Sequence, residues 1–335
     1  MNGDPRNPKS PAELGKAPAP RQVLLKRIIL IAPIVALLLW VIVPRFTTPR
    51  PKPFVVVYCA QDQVYAEPVL VSFERQTGIR VRPVFDSEAV KTVGLANRLL
   101  AEQARPQCDV FWGNEEMRAR QLAARGVFVK TNGLALFGYR SRRIVVNTNR
   151  VTLAEVPRTL AQLTEERWRG KVAIAYPQFG TTATHFHALR QAWGTSRWEQ
   201  WCRALAANKA LLVDGNSAVV RLVGRGEALI GLTDSDDIAA GIREGLPIAA
   251  SPLSPELLLI PNAIGLVHKA PHPKAAQRLF EFLQEREVVE RMIAAQALEG
   301  FSMNEVTETT LKVDWNALLR DLESTTDKLN DIFLK

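Results

Sequence analysis

From residue 54 onward, short unbroken apolar runs alternate with longer stretches of helical period, and that alternation restricts the chain to a layered α/β fold. FVVVYC (54–59) is a continuous β-branched and aromatic run, the mark of a strand buried on both faces. IRVRPVF (79–85), DVFW (109–112), RRIVVNTN (142–149), 171–176 and 228–232 repeat the signal, and LLLIPNAIGLVHK (257–269) reads as strands running back toward the first lobe. Between them lie helical patterns. Pro68 fits the first turn of a helix carrying Val69, Leu70 and Phe73 that stops at Gly78. Helices are expected over 88–102, over 115–124 before Gly126, over 181–193 before Gly194, and over 196–208 with Trp198, Trp201 and Leu205 inward. Further helices are expected over 217–224 and 273–295. Strands alternating with helices indicate βαβ units and a mostly parallel sheet. No internal repeat is visible, and the 335 residues are enough for two α/β lobes.

The chain carries a net charge of +9, which invites a nucleic-acid reading until the charge is located. Residues 1–52 hold +7 of it, so no basic face remains on the rest for nucleic acid. Residues 1–27, rich in Pro, Ala, Lys and Arg, read as a disordered basic arm. The apolar run Ile28–Val43 follows, bracketed by Arg27 and Arg45. It is short for a span of about 20 residues, but Leu24, Leu25 and snorkelling Lys26, Arg27 and Arg45 extend it. A cleaved signal peptide shares the charged-then-apolar order, yet no A-x-A site and no lipidation Cys follow. The segment 28–44 therefore reads as a transmembrane signal-anchor, with 45–53 a linker. The basic leader keeps the N-terminus cytoplasmic, so the main domain is expected in the periplasm or outside the cell, anchored to the inner membrane. Only three Cys are present, too few for a disulfide scaffold, and they read as buried free thiols.

In open α/β sheets, ligands sit beyond the carboxyl ends of the strands. Those ends carry Asp62; Asn114 and Glu115; Gly180, Thr181 and Thr182; and Asp234, Asp236 and Asp237. Asn216 and Ser217 open another helix. Each alone is explained by helix capping, whereas their accumulation at one edge points to a ligand cleft. The hydroxyl-rich helix starts at 180–184 and 216–217 favour anions. The carboxylates Asp62, Glu115, Asp234, Asp236 and Asp237 favour a hard cation or an ammonium group. A metal–anion pair or a zwitterion satisfies both preferences. Catalysis has no comparable support. His185 and His187 stand at i, i+2 and cannot form the i, i+4 zinc pair, and no G-x-S-x-G, Walker A or G-x-G-x-x-G motif occurs.

VVVYCAQDQVYAEPVLVSFERQTGIRVRPVF, CDVFWGNEEMRARQLAARGVF, SRRIVVNTN, GKVAIAYPQFGTTATHFHAL and NSAVVRLVGRGEALIGLTDSDDIAAGIREGLPI, in that order and spacing, resemble the solute-binding proteins of ABC importers. HPKAAQRLFEFLQEREVVERM continues the likeness, which covers nearly all of 54–295 and is nearest to the ferric-ion and small-anion branch. The resemblance implies a two-lobed type II periplasmic-binding-protein fold. Lobe 1 would comprise 54–140 plus 262–310, lobe 2 141–261, with a C-terminal helical segment at 311–335. Two crossovers, about 134–146 and 255–266, would join the lobes. It also implies a small solute as ligand and an ABC permease and ATPase as partners. Gly180, Thr181, Thr182, Asn216 and Ser217 match the branch's anion positions, while Asp62, Asn114, Asp236 and Asp237 stand where its ferric ligands would be. A metal such as iron held by Asp62, Glu115, Asp236 and Asp237, or a phosphate-type organic anion, is thereby implied. A membrane-anchored sensor of the same solute, or an anchored hydrolase, is the alternative use of such a domain.

Overall fold

The computed structural model describes residues 52–85, 91–152, 154–252 and 254–334. The basic arm, the 28–44 anchor and nearly all of the linker lie outside these residues. Among the described residues, no helix is long and apolar enough to cross a membrane.

The first lobe is built from strands β1 (Phe54–Cys59), β2 (Arg80–Phe85) and β3 (Val110–Gly113). Helices α1 (Gln63–Thr77), α2 (Lys91–Ala101) and α3 (Glu116–Ala124) connect them. β4 then runs for 14 residues, Leu134–Asn147. The second lobe holds β5 (Val172–Ala175), α4 (Gly180–Trp193), α5 (Thr195–Ala207), β6 (Leu211–Val213), α6 (Asn216–Arg225), β7 (Ile230–Asp234), α7 (Ser235–Arg243) and β8 (Ile248–Ala250). β9 (Leu259–Leu266) returns to the first lobe, which is completed by α8 (Pro273–Phe282) and α9 (Arg286–Ala294). Helices α10 (Trp315–Arg320) and α11 (Leu322–Phe333) end the chain.

The strand order is β2-β1-β3-β9-β4-β7-β5-β6, with β8 on β4. Four pairs are parallel: β1 with β2 and β3, and β5 with β6 and β7. Every pair involving β4 or β9 is antiparallel, so the sheet is mixed rather than mostly parallel. The physical reason is that these two long strands serve both lobes. The first half of β4 pairs with β9, and its second half with β7 and β8. Its register with β9 shifts between Phe137 and Arg140. Gly138 sits at that shift with φ +56°, and a Cβ there would lie 2.4 Å from Leu298 Cδ1. The bulge therefore requires glycine and bends the strand where it passes from one lobe to the other.

Each lobe has a core on both faces of its sheet. Val55, Val57 and Trp112 pack against Phe73, Leu279 and Phe282 on one face of the first lobe. Tyr58 and Phe111 pack against Leu95, Leu99 and Leu122 on the other. In the second lobe, Ile174 and Leu232 meet Phe186, Trp198 and Trp201, while Val145 and Ala173 meet Val219 and Ile238. Leu318 and Leu322 of the C-terminal helices contact Met117 of α3 and Ala183 of α4, touching both lobes.

Three local expectations are corrected. α1 starts at Gln63, behind Asp62, so Pro68 lies in its interior. The carbonyl that loses its partner there belongs to Val64, a solvent-exposed residue. The 142–149 strand begins at Leu134, because the bulge hides the alternation of its first half. The 273–295 helix is two helices, broken around Leu283–Glu285, which lets Leu279 and Val288 enter the same core. Cys59, Cys108 and Cys202 are free and buried.

Candidate functional site

The strand ends of the two lobes converge on a buried polar cluster centred on two arginines of β4. Arg140 and Arg142 follow the bulge at i, i+2 and therefore face the same side of the strand. Both are almost wholly buried, at 2% and 0% exposure. Arg142 pairs in register with Asp234 at the end of β7, and its Nη1 donates to Asp234 Oδ1 at 2.7 Å. The same nitrogen donates to Asn216 Oδ1 (2.9 Å) and Thr181 Oγ1 (3.3 Å), while Nη2 donates to Thr182 Oγ1 (3.2 Å). Asp234 Oδ2 accepts from Thr181 Oγ1 at 2.6 Å and from Asn216 Nδ2 at 3.1 Å. The hydroxyls and amide that the sequence marks as an anion pocket thus enclose a carboxylate and a guanidinium belonging to the protein itself.

Arg140 stands beside this group. Its Nε lies 3.4 Å from both Asp234 Oδ2 and Asp236 Oδ1, and its Nη1 donates to Asn262 Oδ1 of β9 at 3.5 Å. Burial opposes its charge, yet Asp236, Asp234, Asp62 and Asp237 together hold it firmly protonated. Burial also opposes the charge of Asp234, but Arg142 and Arg140 and the hydrogen bonds of Thr181 and Arg142 keep its carboxyl below the usual range. Asp236 behaves oppositely. Burial, only partly offset by Arg140 and reinforced by Asp234 and Asp62, pushes it up to about 7. Carboxylate oxygens of Asp234, Asp236 and Asp237 lie within 4.8 Å of one another. On the first lobe, Asp62 occupies the N-cap position of α1 without a side-chain capping bond. One turn on, the Tyr65 hydroxyl accepts from Arg243 Nη2 of α7 at 2.9 Å, a bond between the lobes.

The remaining expected residues are placed differently. Glu115 caps α3, accepting from Arg118 N, and it also accepts from Thr184 Oγ1 of the second lobe at 2.9 Å. Its complete burial raises its pKa, against the pull of Arg118 and Thr184. It ties the lobes together rather than facing the arginines. Ser217 accepts from Arg221 on α6 at 3.2 Å. Asn114 is buried at the end of β3, and Gly180 opens α4 with φ +55°. His185 bonds the Glu256 carbonyl at 2.7 Å, and burial pushes its pKa down to about 3. His187 bonds Ala183 and Leu322 carbonyls and is likewise lowered, to about 4. Both are neutral packing groups.

Arg140 and Arg142 are the site residues that sequence reading missed. The signal was present: two Arg at i, i+2 run straight into the apolar Ile144–Val146, so one must follow the strand into the interior. Gln61 and Gln178 stand in sequence among the polar strand-end residues but are not among the expected ligand-binding set. They sit at the ends of β1 and β5, are 1% and 5% exposed, and neither amide nitrogen nor amide oxygen has a hydrogen-bond partner.

A model of the family described as bacterial extracellular solute-binding protein matches residues 55–294. An uncharacterized protein of Haemophilus influenzae is 24% identical over 222 residues, 58% of this chain and 62% of that protein. The match therefore spans less than two thirds of that relative's length. Among solved structures, iron-bound HitA from Pseudomonas aeruginosa is similar with a TM-score of 0.74 and 17% identity, covering 84% of this chain and 99% of that one. The periplasmic binding protein AfuA from Actinobacillus pleuropneumoniae, with exogenous fructose-6-phosphate bound, is similar with a TM-score of 0.72 and 19% identity, covering 85% and 99%. At these identities the structural likeness speaks for the two-lobed fold alone.

Proposed function

This chain belongs to the bacterial extracellular solute-binding proteins, and on that premise we propose that it captures a small solute between its lobes outside the cytoplasmic membrane and delivers it to an ABC permease and ATPase. The observation that carries the reading is the position of the polar cluster. Charged and amide groups from both lobes are buried at the strand ends on either side of the crossover strands β4 and β9. A protein that only needed stability would fill such a junction with apolar side chains, since buried ion pairs add little or nothing to stability. Groups held this way are suited to a polar ligand, and hinge bending about two strands admits it. The residues proposed to face the solute are Asp62, Asn114, Asp236 and Asp237. Thr181, Thr182, Asn216 and Asp234 support them through the two arginines.

Iron-binding and sugar-phosphate-binding relatives share the fold, so the donor set has to decide between such ligands. Asp234, Asp236 and Asp237 are hard oxygen donors of the kind a trivalent ion takes. However, Arg140 Nε stands 3.4 Å from two of them, so a guanidinium already shares those carboxylates. A metal ion would have to compete with that guanidinium for Asp234 and Asp236. The Ile28–Val43 run, with Arg at both ends, supports inner-membrane anchoring of the exported domain.

Native mass spectrometry of the full chain, extracted from membranes in detergent without refolding, tests both parts. The expected spectrum contains the intact mass including residues 1–27 and an additional species carrying a bound small solute. A mature start after the apolar run would remove the anchor, and ligand-free protein alone would count against solute capture.

A further inference from the structure

We propose that the end of the first lobe opposite the cleft docks on the anionic surface of the membrane. The proposal rests on the anchored-domain reading above and adds a lipid-facing surface to it. The +2 carried by residues 53–335 conceals an uneven placement, which corrects the expectation that no basic face remains outside the N-terminal arm. β1, β2 and β3 are parallel, β9 is antiparallel to β3, and β4 is antiparallel to β9. The starts of β1 to β4 and the end of β9 therefore share one end of the sheet. The acids and amides of the candidate site lie at the other. Lys52 and Arg80 stand at the starts of β1 and β2, Arg105 ahead of β3, Lys130 ahead of β4 and Lys269 after β9, while Arg125 closes α3. All six are exposed.

Hydrogen bonds tie the segments bearing these residues into one surface. Arg80 N donates to the Pro53 carbonyl at 2.9 Å, and His268 N donates to the Val127 carbonyl at 2.8 Å. Gln103 Nε2 donates to the Arg125 carbonyl at 2.9 Å. Where the chain enters the lobe, the Arg82 guanidinium lies 3.6 Å over the Phe54 ring and the His272 ring packs 4.0 Å from it. The acids of this end are turned inward. Glu74 Oε1 accepts from Val81 N at 2.6 Å, and Glu102 accepts from the Tyr58 hydroxyl and from Arg98 Nε, both at 2.8 Å. Asp109 is wholly buried and accepts from Val56 N and His272 N, each at 2.7 Å. The second lobe differs, because the arginines ahead of β5 and β7 are matched by acids. Arg167 pairs with Glu165, Arg169 with Glu166 and Arg225 with Glu227. Only the first lobe offers a surface suited to an anionic partner.

The point of chain entry says which anion. Pro53 directly precedes β1, and residues 44–52 separate it from the apolar run Ile28–Val43. Nine residues span at most about 30 Å, so an anchored domain keeps this end close to the bilayer. Lys and Arg near an anionic leaflet are attracted within a Debye length of it. Nucleic acid offers the same phosphate chemistry, but a tether outside the cytoplasmic membrane presents lipid phosphates. β1 has six residues, about 20 Å at the usual rise per residue. Docking by this end therefore holds the cleft off the lipid and open to arriving solute.

The test reconstitutes the full chain into phosphatidylcholine vesicles with and without phosphatidylglycerol, with a fluorescent donor on Thr131→Cys and an acceptor on the lipid headgroups. Thr131 is exposed beside Lys130, and the native cysteines are buried. Energy transfer should be higher in the anionic vesicles and should fall to the phosphatidylcholine level at ~1 M salt, where the screening length is ~3 Å. A donor on Ala207→Cys, exposed in the second lobe, should gain nothing. Arg80→Gln, Lys130→Gln and Lys269→Gln combined should lower the docking constant about a hundredfold, roughly fivefold per residue. Their melting temperature and solute binding should match the wild type. Equal transfer in the two vesicle types at low salt, or an undiminished gain in the triple variant, overturns the proposal. If the protein stays with the vesicles at high salt in that case, the anchor and solute capture still stand. Release of the whole chain at high salt contradicts the anchor, and rebinding to anionic vesicles alone at low salt then still supports docking. Stronger binding of this face to a duplex oligonucleotide than to anionic vesicles at the same low salt also overturns it.

Discussion

Arg142 has no exposure to water, yet it makes five hydrogen bonds that hold the ends of β7, α4 and α6 together. Removing it leaves the buried Asp234 with the hydrogen bonds of Thr181 and Asn216 and, as counter-charge, the 3.4 Å contact to Arg140. Arg142→Ala should therefore cost ~3–5 kcal/mol of stability, read as a fall in the urea midpoint. A loss below 1 kcal/mol would mean that the pair is solvated and the site more open than described. Asp236 makes a different residue-scale claim. Its folded value of about 7 lies above that of an unfolded Asp, about 3.9. The native state thus binds its proton more tightly, a contribution complete below about pH 4 and lost as pH rises through about 7. The ligand-free wild type should lose stability over that window relative to Asp236→Asn, which cannot titrate. Parallel pH profiles of the two proteins would refute the assignment. At this scale the sequence was legible for the acids and hydroxyls, because polar residues at strand ends declare themselves. It was silent on what they do to one another, since a hydroxyl that binds a ligand and one that binds Arg142 look alike in a sequence.

Elements were legible where their period is unbroken. β1, α4 and α5 lie within a residue of their expected bounds because a continuous apolar run (β1), a glycine stop at Gly194 (α4) or an inward Trp198–Trp201–Leu205 stripe (α5) leaves no competing reading. β4 was only half visible: its first half crosses between lobes, so its faces change neighbours and the alternation fails. β6 and β8 are three-residue strands too short to carry a pattern. The bulge that redirects β4 depends on Gly138. Gly138→Ala forces a side chain into positive φ and onto Leu298. The expected loss is ~1–3 kcal/mol from the backbone alone, with weakened solute binding because Arg140 and Arg142 follow directly. Thermal denaturation checks the first effect and calorimetry the second. An unchanged melting temperature would show that the bulge relaxes freely.

For the whole molecule, the two-lobed architecture followed from strands alternating with helices and from a family likeness distributed over 54–295, whereas the mixed sheet did not. Antiparallel pairing here arises from two strands shared by both lobes, a property of tertiary connection that local sequence does not encode. The central claim is that the lobes close over a solute. Tyr65 and Arg243 meet across the seam at 2.9 Å, and their neighbours Val64 and Ile242 are exposed at 73% and 52%. All three native cysteines are buried, so nitroxide labels on Val64→Cys and Ile242→Cys would report selectively on that seam. Pulsed electron resonance should give a longer, broader distance distribution in ligand-free protein. Saturation with the solute identified by mass spectrometry should collapse it to one short distance. Identical distributions with and without bound solute would contradict lobe closure and the capture mechanism built on it.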